Sequence, residues 1–319
     1  MNLEYFSKYL STPIQYLGEF GTNWLWIKRE DMIPFCFGGN KVRKARVFFQ
    51  EIDIGSYDVV VTYGSGSSNH CRVVANMAAQ RGIRCIIISP EEASEATFNS
   101  VMMQLFDAQI MVCPVSCVAK TIERTLEELR AQGMKPYFIP GGGHGNIGTQ
   151  AYVECYEEIR QYEEVCGIHF DYIFLASGTG TTHAGLVCGQ LIHNDTRTIV
   201  GISIARQKPR GRDVVVQSIK EYLQACSASH QDDEVEHATV FEDDYVGQGY
   251  GKYAEDIVKT IDIVMRQYGI PMDTTYTGKA FWGMTEFVKN NELCGKNILF
   301  IHTGGTPLYF DFLDEAHKE

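Results

Sequence analysis

DVVVTYGSGSSNHCRVVANMAAQRGIRCIIISP, residues 58 to 90, holds two short apolar runs on either side of a helical pattern. The runs are DVVVTY (58 to 63) and RCIIIS (84 to 89), and Val73, Val74, Met77 and Ala78 recur between them at helical spacing. Two strands joined through a helix form a parallel pair, because the connection is long enough for a right-handed crossover. The same alternation continues through QIMVCPV (109 to 115) and PYFIPG (136 to 141), which completes one lobe. A second series, DYIFLAS (171 to 177), TIVGISIA (198 to 205) and NILFIHT (297 to 303), makes another. The pattern is that of an α/β protein with two open, twisted, mostly parallel sheets. A chain of 319 residues fits two such lobes. The acidic stretch from Ser227 to Asp244 has few apolar residues and reads as a solvated connection.

Composition narrows the function classes. Asp and Glu number 40 against 28 Lys and Arg, so the net charge is −12, the wrong balance for a general nucleic-acid binder. A small anion remains compatible, since local cations and backbone N–H groups hold one despite the overall field. The segment from Met1 to Leu10 contains an acidic residue and no apolar targeting core, and no later run approaches the ~20 apolar residues of a membrane helix. A cytoplasmic protein with no membrane partner is expected. The ten scattered cysteines read as buried free thiols, and Cys113 with Cys117 lacks the second pair or His cluster of a zinc site, so no metal is expected.

Four segments have the residue types for chemistry. In FGGNKVRKARVFF (37 to 49), Gly38 and Gly39 permit a tight turn, Asn40 suits an N-cap, and Val42, Ala45, Phe49 and Ile52 continue at helical spacing. Lys41, Arg43, Lys44 and Arg46 therefore crowd a helix start, where the dipole disfavours cations. Either an anion lies nearby or one lysine has a lowered pKa and is partly neutral, as an amine must be to form an imine. A solvated basic helix start is the plainer alternative. In TYGSGSSNHCR (62 to 72), the hydroxyl-rich loop before a helix offers Ser67, Ser68 and Asn69 to a carboxylate or phosphate, although an ordinary helix cap reads the same way.

ASGTGTTHAGL (176 to 186) again links a strand to a helix. It lacks both the P-loop lysine and the dinucleotide fingerprint, yet Gly178, Gly180, Thr181 and Thr182 could cup one phosphate; a tight turn would need the same glycines. Near the C-terminus stand TYTGKAFWGM (275 to 284) and IHTGGTP (301 to 307), with Thr303 at a strand end where open α/β sheets present ligand groups. Taken alone, Tyr276 reads as a core aromatic and Thr303 as a strand-end hydroxyl.

Together and in this order, these segments resemble the fold-type II pyridoxal phosphate enzymes, in particular the group of D-cysteine desulfhydrase and 1-aminocyclopropane-1-carboxylate deaminase. IKREDMIPFCFGGNKVRKAR is similar to that group's lysine-bearing segment, supported by SSNH, GTGTTHAGL, YVGQGYG (245 to 251), TYTGKA and HTGG. The resemblance spans nearly the whole chain. It implies a tryptophan synthase β-like fold, with residues 1–50 and 153–319 in a large cofactor-binding domain and 51–152 in a small one. It also implies pyridoxal 5'-phosphate as cofactor, a small amino-acid substrate and a homodimer.

The resemblance makes Lys41 the Schiff-base lysine and the group that moves the Cα proton, with Lys44 a structural neighbour. Ser68 is expected at the substrate carboxylate, with Ser67, His70 and Thr277 in the same substrate-binding set. Asn69 is expected at the cofactor's phenolic oxygen, and Gly178, Thr179, Gly180, Thr181 and Thr182 at its phosphate. Tyr276 is expected against the pyridine ring, Tyr250 facing the substrate and Thr303 at the ring nitrogen. The deaminases resemble one another in having Glu after the ring-stacking Tyr and Leu in the C-terminal segment, where this chain has Thr277 and Thr303. A carboxylate at the ring nitrogen would strengthen the electron sink, and a neutral threonine does not. The expected reaction is therefore β-elimination, with D-cysteine giving pyruvate, sulfide and ammonia. Elimination from another amino acid such as a sulfonate, β-replacement, racemisation, ring opening and a non-catalytic ligand-binding role are the alternatives. Two departures touch the site: Thr181 stands where many relatives have Gly, and Tyr63, Gly64 and Ser65 precede SSNH where relatives often read G-G-x.

Overall fold

The computed structural model describes residues 11–228 and 230–316; the N-terminal segment Met1 to Leu10, read above for targeting, lies outside them. The chain opens with an antiparallel hairpin, β1 (Ile14–Phe20) and β2 (Asn23–Arg29). Helix α1 (Asn40–Gly55) follows, then β3 (Val59–Tyr63), α2 (Asn69–Gln80), β4 (Arg84–Pro90), α3 (Phe98–Leu105), β5 (Gln109–Cys113), α4 (Val118–Ala131) and β6 (Pro136–Ile139). The long α5 (Asn146–Cys166) leads to β7 (Tyr172–Ser177), α6 (Thr181–His193), β8 (Thr198–Ser203), α7 (Arg210–Ala225), α8 (Asp232–Ala238) and β9 (Val240–Glu242). The chain continues through α9 (Glu255–Tyr268), α10 (Thr277–Asn290), β10 (Asn297–His302) and α11 (Thr306–Ala316).

Two sheets result. One is four-stranded and parallel, in the order β5-β4-β3-β6. The other is six-stranded, in the order β1-β2-β10-β7-β8-β9, parallel except for β1. Both are covered on two faces, so the inner strands β3, β4, β7, β8 and β10 bury nearly every side chain, sorted by the two-residue period. Ile173 and Leu175 of β7 enter one core with Leu299 and Ile301, while Phe174 and Ala176 enter the opposite core with Ile298 and Phe300. In the small sheet, Val60 and Ile87 pack on one face and Val59, Val61, Ile86 and Ile88 on the other.

The seven strands read from the sequence are all present, and three more join them. The hairpin β1–β2 extends the large sheet, with β2 parallel to β10. The stretch expected to be a solvated connection contains α8, whose Val235 is buried, and β9, which pairs with β8 through Phe241. The limits expected at 50/51 and 152/153 each cut a continuous helix. The apolar side of α1 (Val42, Ala45, Phe48, Phe49, Ile52) shares a core with β3, β4 and α2 of the small sheet. All ten cysteines are free, but only Cys71, Cys85, Cys155 and Cys188 are buried; Cys117, Cys166, Cys226 and Cys294 are exposed.

Candidate active site

The loops that follow β3, β6, β7, β8 and β10 converge on one cavity of about 620 Å³. Both sheets therefore turn the carboxyl ends of their strands to the same space, where parallel α/β sheets bind ligands.

Lys41 reaches this cavity from the first turn of α1. Gly39 precedes it at φ +96, and a Cβ there would stand 2.9 Å from the carbonyl oxygen of Thr303. Opposite, a Cβ on Gly304 would stand 2.6 Å from Gly39 Cα, so glycine on both strands of the crossing lets the Lys41 loop lie against the end of β10. The Asn40 N–H donates to Thr303 O at 2.9 Å and fixes that contact. Asn40 is not the helix cap expected of it. The cap position is Gly39, and the Asn40 amide instead reaches across to Thr182 Oγ1 at 3.0 Å.

The crowded cations of α1 divide into two groups. Arg43 is buried and bonded to Glu30 and Glu158, and Arg46 is paired with Glu154. Burial pushes the Glu30 carboxyl up, but Arg43 and Lys28 outweigh it and hold the group below its ordinary value. Lys41 and Lys44 have no such carboxylate among the described residues; each Nζ points to the carbonyl of Gly142, at 3.2 Å and 3.5 Å. Burial lowers the Lys41 pKa to about 8, and burial with the nearby Lys41 charge drives Lys44 well below its ordinary range. Of the two outcomes allowed by the sequence, the structure supplies the second, a partly neutral amine facing a cavity.

The remaining expected residues separate by contact. Ser68, Asn69, His70, Gly178, Thr179, Gly180, Thr182, Tyr250, Tyr276 and Thr303 line the cavity with Lys41. Ser68 accepts from Cys71 N at 3.2 Å, so it caps α2 while its own hydrogen stays available to a ligand. Asn69 Oδ1 accepts from Asn99 Nδ2 at 3.0 Å and from Arg72 Nη2 at 3.3 Å, which orients its amide nitrogen away from those partners as a donor. The Thr62 hydroxyl donates to Ile139 O at 2.8 Å and accepts from His70 Nε2 at 2.9 Å. His70 Nδ1 is left as a buried acceptor without a partner among the described residues, and burial, with Lys41 and Lys44 beside it, holds the ring neutral.

Three expected residues are engaged elsewhere. Thr277 is fully buried, donates to Asp273 Oδ2 at 2.9 Å and accepts from Asp273 N at 3.0 Å; it does not line the cavity. Ser67 Oγ lies 3.1 Å from Ser65 Oγ, and the Thr181 hydroxyl lies 3.1 Å from His144 Nδ1; neither side chain lines the cavity. Thr181 still contributes the first backbone N–H of α6, so only its hydroxyl is redirected.

Several residues of the site escaped sequence reasoning. Asp273 is buried and accepts from the N–H groups of Thr275, Tyr276 and Thr277, which anchors the start of α10 and hence Tyr276. Its position just ahead of a helical pattern was the signal available. His302 Nε2 donates to Pro271 O at 2.7 Å, and Nδ1 accepts from Gly304 N at 3.3 Å, so the histidine of HTGG is a strut for the strand end. Arg206 and Ser177 also line the cavity, and Arg206 Nη1 and Ser177 Oγ are buried without a partner among the described residues.

Those orphaned groups test the expected cofactor. Gly178 to Thr182 opens α6, whose first N–H groups and positive dipole end suit a phosphate, and Thr182 keeps its hydroxyl hydrogen because it accepts from Asn40. Arg206, which has no carboxylate partner among the described residues, adds a cation to the same cavity. The lowered pKa of the Lys41 amine suits the aldehyde, the free Asn69 amide suits a phenolate oxygen, and Thr303 offers a neutral hydroxyl to a ring nitrogen. The residues fit the group.

The comparisons with known proteins agree. Residues 6–304 match the family model described as pyridoxal-phosphate dependent enzyme. The chain is 32% identical over 310 residues to a Pyrococcus abyssi protein named provisionally as a 1-aminocyclopropane-1-carboxylate deaminase, covering 95% of this chain and 92% of that one. It is equally 32% identical, over 318 residues and with the same coverage, to a protein named D-cysteine desulfhydrase from Serratia proteamaculans. A crystal structure of an ACC deaminase homologue superposes with a TM-score of 0.87 at 33% identity, covering 96% of this chain and 93% of the other. A hydrogen sulfide-producing enzyme from Fusobacterium nucleatum shares the fold at TM-score 0.66 and 16% identity, over 95% and 98% of the two chains.

Proposed function

The chain belongs to the pyridoxal-phosphate dependent enzyme family, and from that premise we propose that it is a lyase acting on a small β-substituted amino acid. D-cysteine is the first candidate, converted with water to pyruvate, sulfide and ammonia. When bound, the cofactor supplies a carbonyl for the substrate's amine and a ring that takes up the electron pair left by the Cα proton.

The chain's own groups do the rest. Lys41 is the base for the Cα proton, since an amine with a pKa of about 8 is roughly one-tenth unprotonated at neutrality, some hundreds of times more than an ordinary lysine. Ser68 and the N–H groups opening α2 hold the carboxylate. Tyr250 and Tyr276 share a hydrogen bond of 2.6 Å, in which one phenol donates and the other keeps its hydrogen for the departing thiolate. Asn69 and Thr182, both lining the cavity, each have a hydrogen left to donate.

The observation that carries elimination over ring opening is the neutral end of β10. Thr303 lines the cavity there, while Asp273, which lies against Gly305, spends its carboxylate on α10. A neutral neighbour leaves the ring nitrogen a weaker electron sink, sufficient for loss of a thiolate and poor for opening a cyclopropane. The test is the cofactor-loaded enzyme with D-cysteine, L-cysteine and aminocyclopropane carboxylate, scored for sulfide, ammonia and 2-oxo acid. Equal sulfide and pyruvate from D-cysteine are expected; efficient 2-oxobutanoate production from the cyclopropane overturns the proposal.

A further inference from the structure

We propose that Lys279 is a positioning residue that clamps the Tyr250 loop over the cavity. This rests on the reading of Tyr250 as a substrate-facing group. Lys279 lies in the first turn of α10, three residues after Tyr276, and its side chain is fully buried. Its ammonium donates to the carbonyl oxygens of Gly249 at 2.9 Å, Val246 at 3.0 Å and Ile204 at 3.4 Å. Three N–H donors thus meet three acceptors from two separate loops, one after β8 and one leading to Tyr250.

The loop's two ends are packed, Tyr245 and Val246 being buried with Tyr245 against Trp282, and Tyr253 meeting Phe312, whereas the glycine-rich turn between them that carries Tyr250 is tied to the core through Lys279. Its own backbone bonds are local turns at 3.3 Å, from Val246 N to Asp243 O, Gly249 N to Val246 O and Lys252 N to Gly249 O. Tyr250 itself is exposed on one side and meets Tyr276 edge-on, with ring centroids 5.9 Å apart. Helix α10 therefore holds one tyrosine of the pair directly and the other through Lys279. Burial lowers the Lys279 pKa and the Asp273 charge opposes that, so the carbonyl cage and the α10 anchor support one another. Removing the ammonium leaves the Ile204 carbonyl without a donor among the described residues and the Val246 and Gly249 carbonyls with only their turn bonds, which frees the loop.

The test uses cofactor-loaded Lys279→Met, with loop order read by hydrogen exchange at the amides of Gly249 and Lys252. Expected are an unchanged cofactor absorption band, exchange faster by roughly tenfold and kcat/KM for the amino acid lower by roughly tenfold. Tyr250→Phe added to Lys279→Met should cost nothing further, because a freed tyrosine no longer contributes. In Lys279→Ala, ethylammonium ions should slow the exchange again and restore part of the rate. Unchanged exchange, or effects of Lys279→Met and Tyr250→Phe that multiply, overturns the clamp. If Lys279→Met does not fold, Lys279→Arg keeps the charge but replaces a three-way ammonium with a planar fork; faster exchange is again expected and unchanged exchange again overturns. Exchange needs no substrate, so faster exchange in a protein that turns over no amino acid sustains the clamp and removes the proposed reaction instead.

Discussion

The starts of α1 and α10 each carry a lysine, Lys41 lining the cavity and Lys279 buried outside its lining, and the two are treated in opposite ways. Lys279 has three carbonyl acceptors and no freedom. Lys41 has one, Gly142 O, which it shares with Lys44. The helices differ likewise: Asp273 saturates the first N–H groups of α10, whereas the first turn of α1 contains no acid and its two arginines take the available glutamates. A buried ammonium with its bonds complete is structural. One denied its bonds releases its proton and becomes a nucleophile and base.

That contrast is most exposed at the lysines themselves. Lys41→Ala is expected to lower kcat by on the order of 10⁴-fold or more and to abolish borohydride fixation of the cofactor to the protein. Mass spectrometry of the reduced protein checks it, and fixation at another lysine breaks the comparison.

Next in size is the anchor of α10. Asp273→Asn replaces a carboxylate that accepts four bonds with an amide that must turn an NH₂ toward donors. A loss of about 2 kcal/mol in urea unfolding is expected, with turnover falling because Tyr276 shifts. Smaller again, Tyr276→Phe removes one phenol from the 2.6 Å pair and should cost about 1 kcal/mol in kcat/KM, or roughly fivefold, with the cofactor still bound.

The finest probe is pH. Capture of cofactor by the cofactor-free protein requires the neutral Lys41 amine, so its rate should rise as pH rises toward about 8 and level off above it. Burial and the neighbouring Lys41 charge drive Lys44 well below its ordinary range, which favours its neutral form beside Lys41. Lys44→Met should accordingly leave the midpoint unmoved within about 0.3 of a pH unit, and an upward shift of the midpoint would show that Lys44 supplies charge.

Much of this was legible in the residues. The two-residue and helical periods located the seven strands of the parallel runs, because strands buried on both faces are continuous apolar segments. The hairpin was missed because IQYLGEF and NWLWIKR mix polar and aromatic residues at a sheet edge, and β9 because it is three residues long within an acidic stretch and buries a single side chain, Phe241. Among site residues, loops joining a strand to a helix announced Ser68, Asn69 and Gly178 to Thr182. Thr277, Ser67 and the Thr181 hydroxyl were drawn to the site by their neighbours in sequence, but each is turned to a nearby partner instead: Asp273, Ser65 and His144.

What the sequence determined by itself was the periodicity, the lysine at a helix start and the resemblance that joined separate segments into one family, since these depend on residue order alone. Which amine is reactive was decided by the tertiary structure. Lys41, Arg43, Lys44 and Arg46 are one basic cluster in the sequence, and they separate only when Glu30, Glu154 and Glu158 arrive from β2's end and α5 to claim the arginines. A pKa records the partners and solvent a group has lost, and both are fixed by contacts between residues far apart along the chain.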